Sequence, residues 1–220
     1  GVEKTIERLK DPILRNRIAE EVKLNEEYEN FYKHSGGAEG VVIVYSPETT
    51  DYEGRFLMEI ANSINIDPVE LALDIIIANN GKDLCCYFMM NEDDIKYVMR
   101  QSFVMIGSDS IPSSFGAKGH PRTSGTFPRV LGKYVREEKV IGLEEAVRKM
   151  TSLPAARLNL QHKGLIKEGM DADLILFNPE EIIDKSSFKE PFKEPEGIDF
   201  VIVNGKITIE RAGKILRRKN

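Results

Sequence analysis

Three short apolar runs, separated by helical patterns, are the feature that most limits how this chain can fold. They lie at residues 41–45, 84–89 and 103–106. A short apolar run without alternation, such as the third, is typical of a strand buried on both faces, as in a parallel sheet. Strands that alternate with helices through right-handed crossovers form such sheets. The pattern therefore predicts an α/β fold.

The helical segments carry recognisable start signals and apolar stripes. Residues 1–34 are strongly charged and predicted to be helical, with Asp11 as an N-cap before a first-turn proline. Asp67 precedes a second proline in the same way. Apolar residues at positions i, i+3, i+4 and i+7 predict helices over residues 57–64, 69–76 and 143–150.

After residue 160 the apolar period changes to that of strands. Residues 173–177, 200–203 and 206–209 are predicted strands, and Asn204-Gly205 is a strong signal for a two-residue hairpin turn. We therefore expect a helical segment at 1–40, strands and helices of an α/β domain at 41–160, and a small β module at 161–220.

Bulk composition excludes several classes of function. The chain has 220 residues, of which 41% are hydrophobic and 30% charged, as in ordinary globular proteins. A net charge of −5 gives no basic field for nucleic acid. No apolar run is long enough to cross a membrane, and the N-terminus lacks a signal-peptide pattern. The basic cluster near the C-terminus is expected to be solvated: Lys214, Arg217, Arg218 and Lys219.

The two cysteines, Cys85 and Cys86, are adjacent in a predicted strand. Neighbouring strand residues point to opposite faces, so a disulfide between them would be strained. Ligand cysteines of zinc sites are usually separated by two or more residues. We predict reduced core residues and a cytoplasmic setting.

Asp109 is the first candidate for catalysis, because it directly follows the third apolar run and Gly107. In parallel sheets the chemistry lies at the C-terminal ends of the strands. Tyr87 and Met90 end the second run and would face the same cleft. The alternative is that Asp109 only caps a turn, since aspartate favours turns.

A catalytic zinc site needs about three protein ligands, and this sequence is short of them. Its three histidines are His34, His120 and His162, and none has the spacing of a ligand pair. We expect His34 to lie in a loop and His162 on the surface.

Several segments resemble one family in unbroken order. They are VVIVYSPE (residues 41–48), CYFMMNEDDI (86–95), GSDS with the following HPR and GTFPRVLG (107–132), LEEAVRKMTSLPAARLNL (143–160), GLIKEGMDADLILFNP (164–179) and IDFVIVNGK (198–206). Together they resemble the C-terminal part of N-acyl-D-amino-acid deacylases (D-aminoacylases), which are metal-dependent amidohydrolases.

The resemblance implies a fold and an activity. The fold is the C-terminal portion of a (β/α)8 TIM-like barrel, with about three strands, followed by a small β-sandwich segment. The activity is zinc-dependent hydrolysis of N-acyl-D-amino acids to a carboxylate and a free D-amino acid. Asp109 matches the family's aspartate beside the zinc, which moves a proton from the attacking water to the departing amine. The family's other metal ligands lie on earlier strands, upstream of this sequence.

The same resemblance places Tyr87 and Met90 in the wall of the substrate pocket. Core packing is the alternative for each, although the Tyr87 hydroxyl would need a partner. Arg122 either binds the substrate carboxylate through two hydrogen bonds or forms a structural ion pair. His120 either contacts substrate or shapes the loop of residues 110–132. Arg129 is assigned to structure.

Three barrel strands would leave open edges, which proteins normally cover. We therefore expect the chain to be a fragment or a split half that is inactive alone, completed by a missing N-terminal barrel half or by self-association. Two alternatives remain open. One is hydrolysis of cyclic amides or ureides on the same scaffold, and the other is a non-catalytic assembly module.

Overall fold

The computed structural model describes residues 1–24, 28–110 and 119–208. Its helices are α1 (Val2–Lys10), α2 (Pro12–Leu24), α3 (Phe31–His34), α4 (Leu57–Ile64), α5 (Pro68–Ala78), α6 (Glu92–Arg100), α7 (Arg122–Arg129), α8 (Leu143–Met150) and α9 (Ser152–Arg157). A π-helix, Val130–Glu137, continues α7. The strands are β1 (Val41–Tyr45), β2 (Leu84–Tyr87), β3 (Leu174–Phe177), β4 (Ile198–Val203) and β5 (Lys206–Ile207). No helix in these ranges is long and apolar enough to cross a membrane.

The chain divides into two compact units. The first comprises Gly1–Asn91, Ser110–Thr123 and Ser187–Phe192. The second comprises Glu92–Asp109, Ser124–Ser186 and Lys193–Asn220. The predicted division of the sequence at residues 40 and 160 stays a prediction.

Helices and one small sheet form the first unit. Strands β1 and β2 pair, and the apolar faces of α4 and α5 pack on β1. The helical stripe of α4 explains this packing, because Leu57, Ile60 and Ala61 are all buried. The predicted caps are also confirmed. The Asp11 carboxylate accepts hydrogen bonds from the first turn of α2, and that of Asp67 does the same for α5.

The second unit combines α6, α8, α9 and the π-helix with a three-stranded antiparallel sheet in the order β3-β4-β5. The predicted hairpin between β4 and β5 is confirmed. Asn204 and Gly205 both have positive φ, 51° and 75°, as a type I′ turn requires. Apolar residues of α6, the π-helix and α8 form the core, among them Met99, Leu131 and Ala146.

The predicted parallel pairing is wrong for the first two strands. Strands β1 and β2 run antiparallel, with Val41 opposite Tyr87 and Ile43 opposite Cys85. Two helices, α4 and α5, lie between these strands, whereas a parallel crossover commonly has one. The second helix adds one more reversal of chain direction, so β2 returns antiparallel to β1.

The predicted third strand, residues 103–106, is also wrong. The segment forms a turn followed by irregular backbone, and the side chain of Phe103 is 74% exposed. The amide of Ile106 donates to the backbone oxygen of Lys149 in α8, at 3.2 Å. The segment therefore bonds to a helix and has no strand beside it among the described residues. The structure is a mixed α/β fold with small sheets, and neither a barrel nor a sandwich is formed by the residues it describes.

The predicted loop of residues 110–132 is partly helical. Residues 111–118 lie outside the described ranges, but α7 begins at Arg122 and passes into the π-helix at Val130. The His120 side chain stabilises the start of α7, because its Nδ1 accepts a hydrogen bond from the Arg122 amide at 3.0 Å. The basic C-terminal cluster and Ile209, the last residue of the predicted strand 206–209, lie outside the described residues, which end at residue 208.

Candidate functional site

Asp109 ends its segment in a backbone conformation that few residues adopt. Its φ is 48°, in the left-handed region, where aspartate occurs several times more often than most residues. Unusual backbone angles at non-glycine residues often accompany functional sites. Asp109 is exposed and belongs to the second unit. This conformation is compatible with a catalytic carboxylate. It is equally compatible with the alternative that the sequence allows, in which Asp109 only caps a turn.

Tyr87 closes β2 in the first unit. Its ring makes an edge contact with Phe31, at 5.8 Å between ring centroids, and its hydroxyl is hydrogen-bonded to the Cys85 thiol. Burial raises the pKa of the Tyr87 hydroxyl, and the neighbouring Cys85 and Asp83 raise it further. Tyr87 is therefore a neutral hydrogen-bonding group at neutral pH.

Cys86, which precedes Tyr87 in β2, lies close to Arg122. Burial and the adjacent Cys85 raise the pKa of the Cys86 thiol, while the Arg122 guanidinium acts in the opposite direction. Both cysteines are free thiols and half buried, as predicted for reduced residues. The structure thus brings Arg122, a predicted substrate-binding residue, to the end of β2.

His120 lies at the end of a row of aromatic rings. Its ring is 5.0 Å from that of Phe188, which is 5.2 Å from Phe88, which in turn is 5.6 Å from Phe56. We call Phe56, Phe88 and Phe188 the aromatic row. Together with the hydrogen bond to the Arg122 amide, this packing supports a role for His120 in shaping the segment.

The strand period divides the predicted substrate-binding residues between two faces. Residues two apart in a strand share a face, so Cys85 and Tyr87 lie on one side of β2 and Cys86 on the other. Arg122 and His120 approach the Cys86 side, whereas Tyr87 emerges on the opposite side. Met90 lies beyond the strand end and is 77% exposed.

Sequence reasoning missed the aromatic row. Phe88 was within the apolar run 84–89, and a period of two would have assigned it to the Cys86 face. Phe188 lies in the charged stretch SSFKE, and its only signal was an aromatic side chain among polar ones. Arg129, which the sequence assigns to structure, pairs through its Nη1 with the Asp184 carboxylate at 3.2 Å.

A separate cavity of about 620 Å³ lies within the second unit. Helix α8 and strand β3 contribute part of its apolar lining, including Val147, Met150 and Phe177. None of the predicted site residues lines it. This cavity is therefore not the place to which the sequence assigns chemistry.

The described residues do not form a metal site on their own. Within residues 1–24, 28–110 and 119–208, no three His, Cys, Asp or Glu side chains are grouped closely enough to hold a metal ion. Asp109 can supply one oxygen ligand, which is fewer than the three or so that a catalytic zinc requires. The residues that the structure describes thus do not fit a complete zinc centre.

Comparisons with known proteins identify the family. The amidohydrolase family model matches residues 91–209. An N-acyl-D-glutamate deacylase of Alcaligenes xylosoxydans xylosoxydans is 35% identical over 182 residues, which are 80% of this chain and 36% of that protein. A D-aminoacylase of the same organism is 42% identical over 139 residues, 60% of this chain and 28% of its own. The chain thus spans about a third of the length of these curated relatives.

Solved structures agree with the sequence matches. The N-acyl-D-glutamate deacylase of Bordetella bronchiseptica, solved with zinc and a phosphonate inhibitor, superposes with a TM-score of 0.69 at 31% identity. The match covers 82% of this chain and 37% of that one. A D-aminoacylase with a binuclear metal centre gives 0.68 at 34% identity, over 81% of this chain and 38% of its own. By sequence and by structure, the chain belongs to the amidohydrolase family, in its D-aminoacylase branch.

Proposed function

We propose that this chain takes part in the hydrolysis of N-acyl-D-amino acids to a carboxylate and a free D-amino acid. The observation that carries the proposal is its similarity, along most of its length, to relatives named for deacylation of N-acyl-D-glutamate, N-acyl-D-aspartate and other D-amino acids. N-acyl-D-glutamate and N-acyl-D-aspartate, which the first two names print, are open-chain amides whose amine product carries a carboxylate. We therefore propose that the bond hydrolysed is the C–N bond of a linear amide.

Asp109 is proposed to transfer the proton. Water attacks the amide carbonyl carbon, and the carboxylate of Asp109 accepts the proton that this water loses. The same group then gives the proton to the amide nitrogen as the C–N bond breaks, because the nitrogen leaves more easily as a neutral amine. The exposure of Asp109 to solvent supports this role, since a carboxylate that transfers a proton must be accessible to substrate.

Arg122 is proposed to bind the carboxylate of the D-amino acid moiety. A guanidinium offers a planar pair of donors that matches a carboxylate in two parallel hydrogen bonds. The aromatic face formed by His120 and the aromatic row lies beside the same segment and can accept apolar parts of the substrate. Tyr87 and Met90 remain proposed pocket residues. Tyr87 lies on the face of β2 opposite to that of Cys86, and Met90 lies beyond the end of this strand.

Zinc dependence is also part of the proposal. The Bordetella bronchiseptica relative was solved with zinc, but the described part of this chain does not group enough ligands to hold such an ion. We propose that the remaining ligands come from polypeptide outside this sequence, either the rest of a barrel or a second chain. The roles assigned to Asp109 and Arg122 do not depend on which of these supplies them.

The experiment compares the chain alone with an enzyme in which the missing ligands are supplied by co-expressed polypeptide. Release of free amine from N-acetyl-D-methionine and N-acetyl-D-glutamate is measured, with the L-enantiomers as controls. We expect the complete enzyme to be active and Asp109→Asn to lower kcat by about 10²- to 10⁴-fold. Asp94→Asn, an exposed carboxylate on α6, is the matched control and should stay active.

Two results would contradict the proposal. Full activity of Asp109→Asn would remove its catalytic role and would favour a non-catalytic assembly module. Turnover by the chain alone, with one zinc bound per chain, would show that no further ligands are needed.

A second candidate function has one observation in its favour. A dihydroorotase of Lactobacillus gasseri is 26% identical over 95 residues, 43% of this chain. Hydrolysis of a cyclic amide would use the same proton transfer, but the substrate would be a ring. Assays of dihydroorotate and of the N-acetyl-D-amino acids with the same enzyme separate the two functions.

A further inference from the structure

The segment that leads to Asp109 is bonded to the C-terminal end of α8. Lys149 donates from Nζ to the backbone oxygen of Val104 at 3.0 Å, and also to that of Gln101. Its own backbone oxygen accepts from the Ile106 amide at 3.2 Å. All these groups belong to the second unit. The last turn of α8 thus bonds both to backbone oxygens and to a backbone amide of the segment just before Asp109.

The Lys149 side chain has no solvent exposure, which is rare for a lysine. A buried ammonium is tolerated only if hydrogen bonds and opposite charge replace its hydration. The oxygens of Gln101 and Val104 and the Glu145 carboxylate, at 3.5 Å, can accept all three of its protons. Because two of these acceptors are backbone oxygens of one segment, the ammonium fixes the path of that segment.

Arg148, the neighbouring residue, binds the same segment from outside. Its Nη2 donates to the backbone oxygen of Ser102 at 2.5 Å, while the Glu145 carboxylate orients the guanidinium at 2.7 and 2.8 Å. Side-chain donors at 148 and 149 therefore hold backbone oxygens at 101, 102 and 104. Of these oxygens, that of Val104 lies in the predicted strand of residues 103–106, where it would otherwise bond to a neighbouring strand.

We infer that Lys149 and Arg148 are positioning residues, which set the place of the Asp109 carboxylate by holding residues 101–106 against α8. The inference rests on the proposed catalytic role of Asp109. Neither cation is assigned a contact with substrate. Each acts through the backbone of the segment, so its loss is expected to displace the carboxylate while leaving substrate binding at Arg122 unchanged.

The test uses the complete enzyme and the nearly isosteric variant Lys149→Met. Displacement of a catalytic group by about 1 Å costs up to about 100-fold in rate, so we expect kcat to fall by about 10- to 100-fold with KM within about twofold. Lys96→Met is the matched control, because Lys96 pairs with Glu138 at 3.0 Å and is only partly exposed. It should leave kcat unchanged.

A double variant separates positioning from general loss of structure. If Lys149 acts through Asp109, Lys149→Met should cause no further loss in an Asp109→Asn background. An equal loss in both backgrounds, or an unchanged kcat in the single variant, would overturn the inference. An active Asp109→Asn enzyme would instead overturn the proposed function, so the two failures are distinguishable.

Arg148→Gln provides the same comparison if Lys149→Met does not fold, because Arg148 is partly exposed. In addition, hydrogen exchange of the chain should show faster exchange of the Ile106 amide in either variant, with α9 unchanged as the internal reference. Unaltered exchange at Ile106 in the Arg148→Gln variant would argue against the inference.

Discussion

Asn79 donates a hydrogen bond from its side-chain Nδ2 to the Oγ of Ser46 at 2.9 Å, and both side chains are buried. The same Nδ2 donates to the Ile75 backbone oxygen at 2.8 Å. The Asn79 Oδ1 accepts from the Glu48 amide at 2.9 Å. One amide side chain thus joins the end of α5 to the turn after β1, and it holds this turn beside the sheet that carries Tyr87.

Replacing Asn79 by alanine should lower the free energy of unfolding by about 1–3 kcal/mol. The change leaves the part-buried Glu48 amide without its acceptor and removes one partner of the Ser46 hydroxyl, which keeps its hydrogen bond with Thr49 Oγ1. Urea unfolding followed by circular dichroism measures the effect. Asn62→Ala, at an exposed position of α4, is the control and should change stability by less than about 0.5 kcal/mol. An equal effect of both variants would contradict the assigned role of the buried amide.

Arg122→Met should raise KM for N-acetyl-D-amino acids in the complete enzyme. Loss of hydrogen bonds between a guanidinium and a carboxylate costs about 1.5–3 kcal/mol, which corresponds to about 10- to 100-fold in KM. Substrates whose α-carboxylate is converted to an amide should show little difference between the two enzymes. Arg157→Met, an exposed arginine on α9, is the control variant. If KM rises equally for both substrate types, Arg122 supports the fold and does not bind the carboxylate.

Local signals in the sequence predicted much of the fold. Asp11 and Asp67 cap helices as expected, and Asn204-Gly205 forms the expected turn, because each of these features depends on neighbouring backbone only. The apolar run 41–45 also forms a strand, as its β-branched residues predict. Interactions between residues close together in the sequence, such as helix caps and tight turns, can therefore be predicted without knowledge of the rest of the molecule.

Contacts between residues that are far apart in the chain could not be predicted from the sequence. Residues 103–106 have the composition of a strand, but Lys149, more than 40 positions later, bonds to the Val104 oxygen and the Ile106 amide, which a strand would share with its neighbour. Nothing near position 104 signals this competition. The direction of β2 relative to β1 likewise depends on how α4 and α5 fold back, which periodicity does not encode.

The candidate site shows the same division. His120 and Arg122 were predicted from one motif, and the structure brings both to the Cys86 side of β2. Phe188 joins them from a distant charged loop, so only the fold reveals it. The role of Asp109 rests on family resemblance and stays a prediction, because the described residues provide no metal group around it.

Glu145 provides a prediction about pH, because hydrogen bonds from the Arg148 guanidinium lower the pKa of its carboxyl to about 2. A carboxyl group whose pKa is lower in the folded state than in the unfolded state, where it is about 4.3, stabilises the fold when it is ionised. This contribution is fully present above about pH 4.3 and is lost as the pH falls through about 2.

The stability advantage of the parent chain over Glu145→Gln should therefore shrink steadily between about pH 4.5 and pH 2. Urea unfolding at a series of pH values measures it. Because Glu145 and Arg148 are partly exposed, 1 M salt should also reduce the difference at pH 7. Glu144→Gln removes the same charge from the same turn of α8, so a loss shared by both variants is not due to the Arg148 pair. A difference that stays constant, or that grows as the solution is acidified, would show that Glu145 is not held ionised by Arg148.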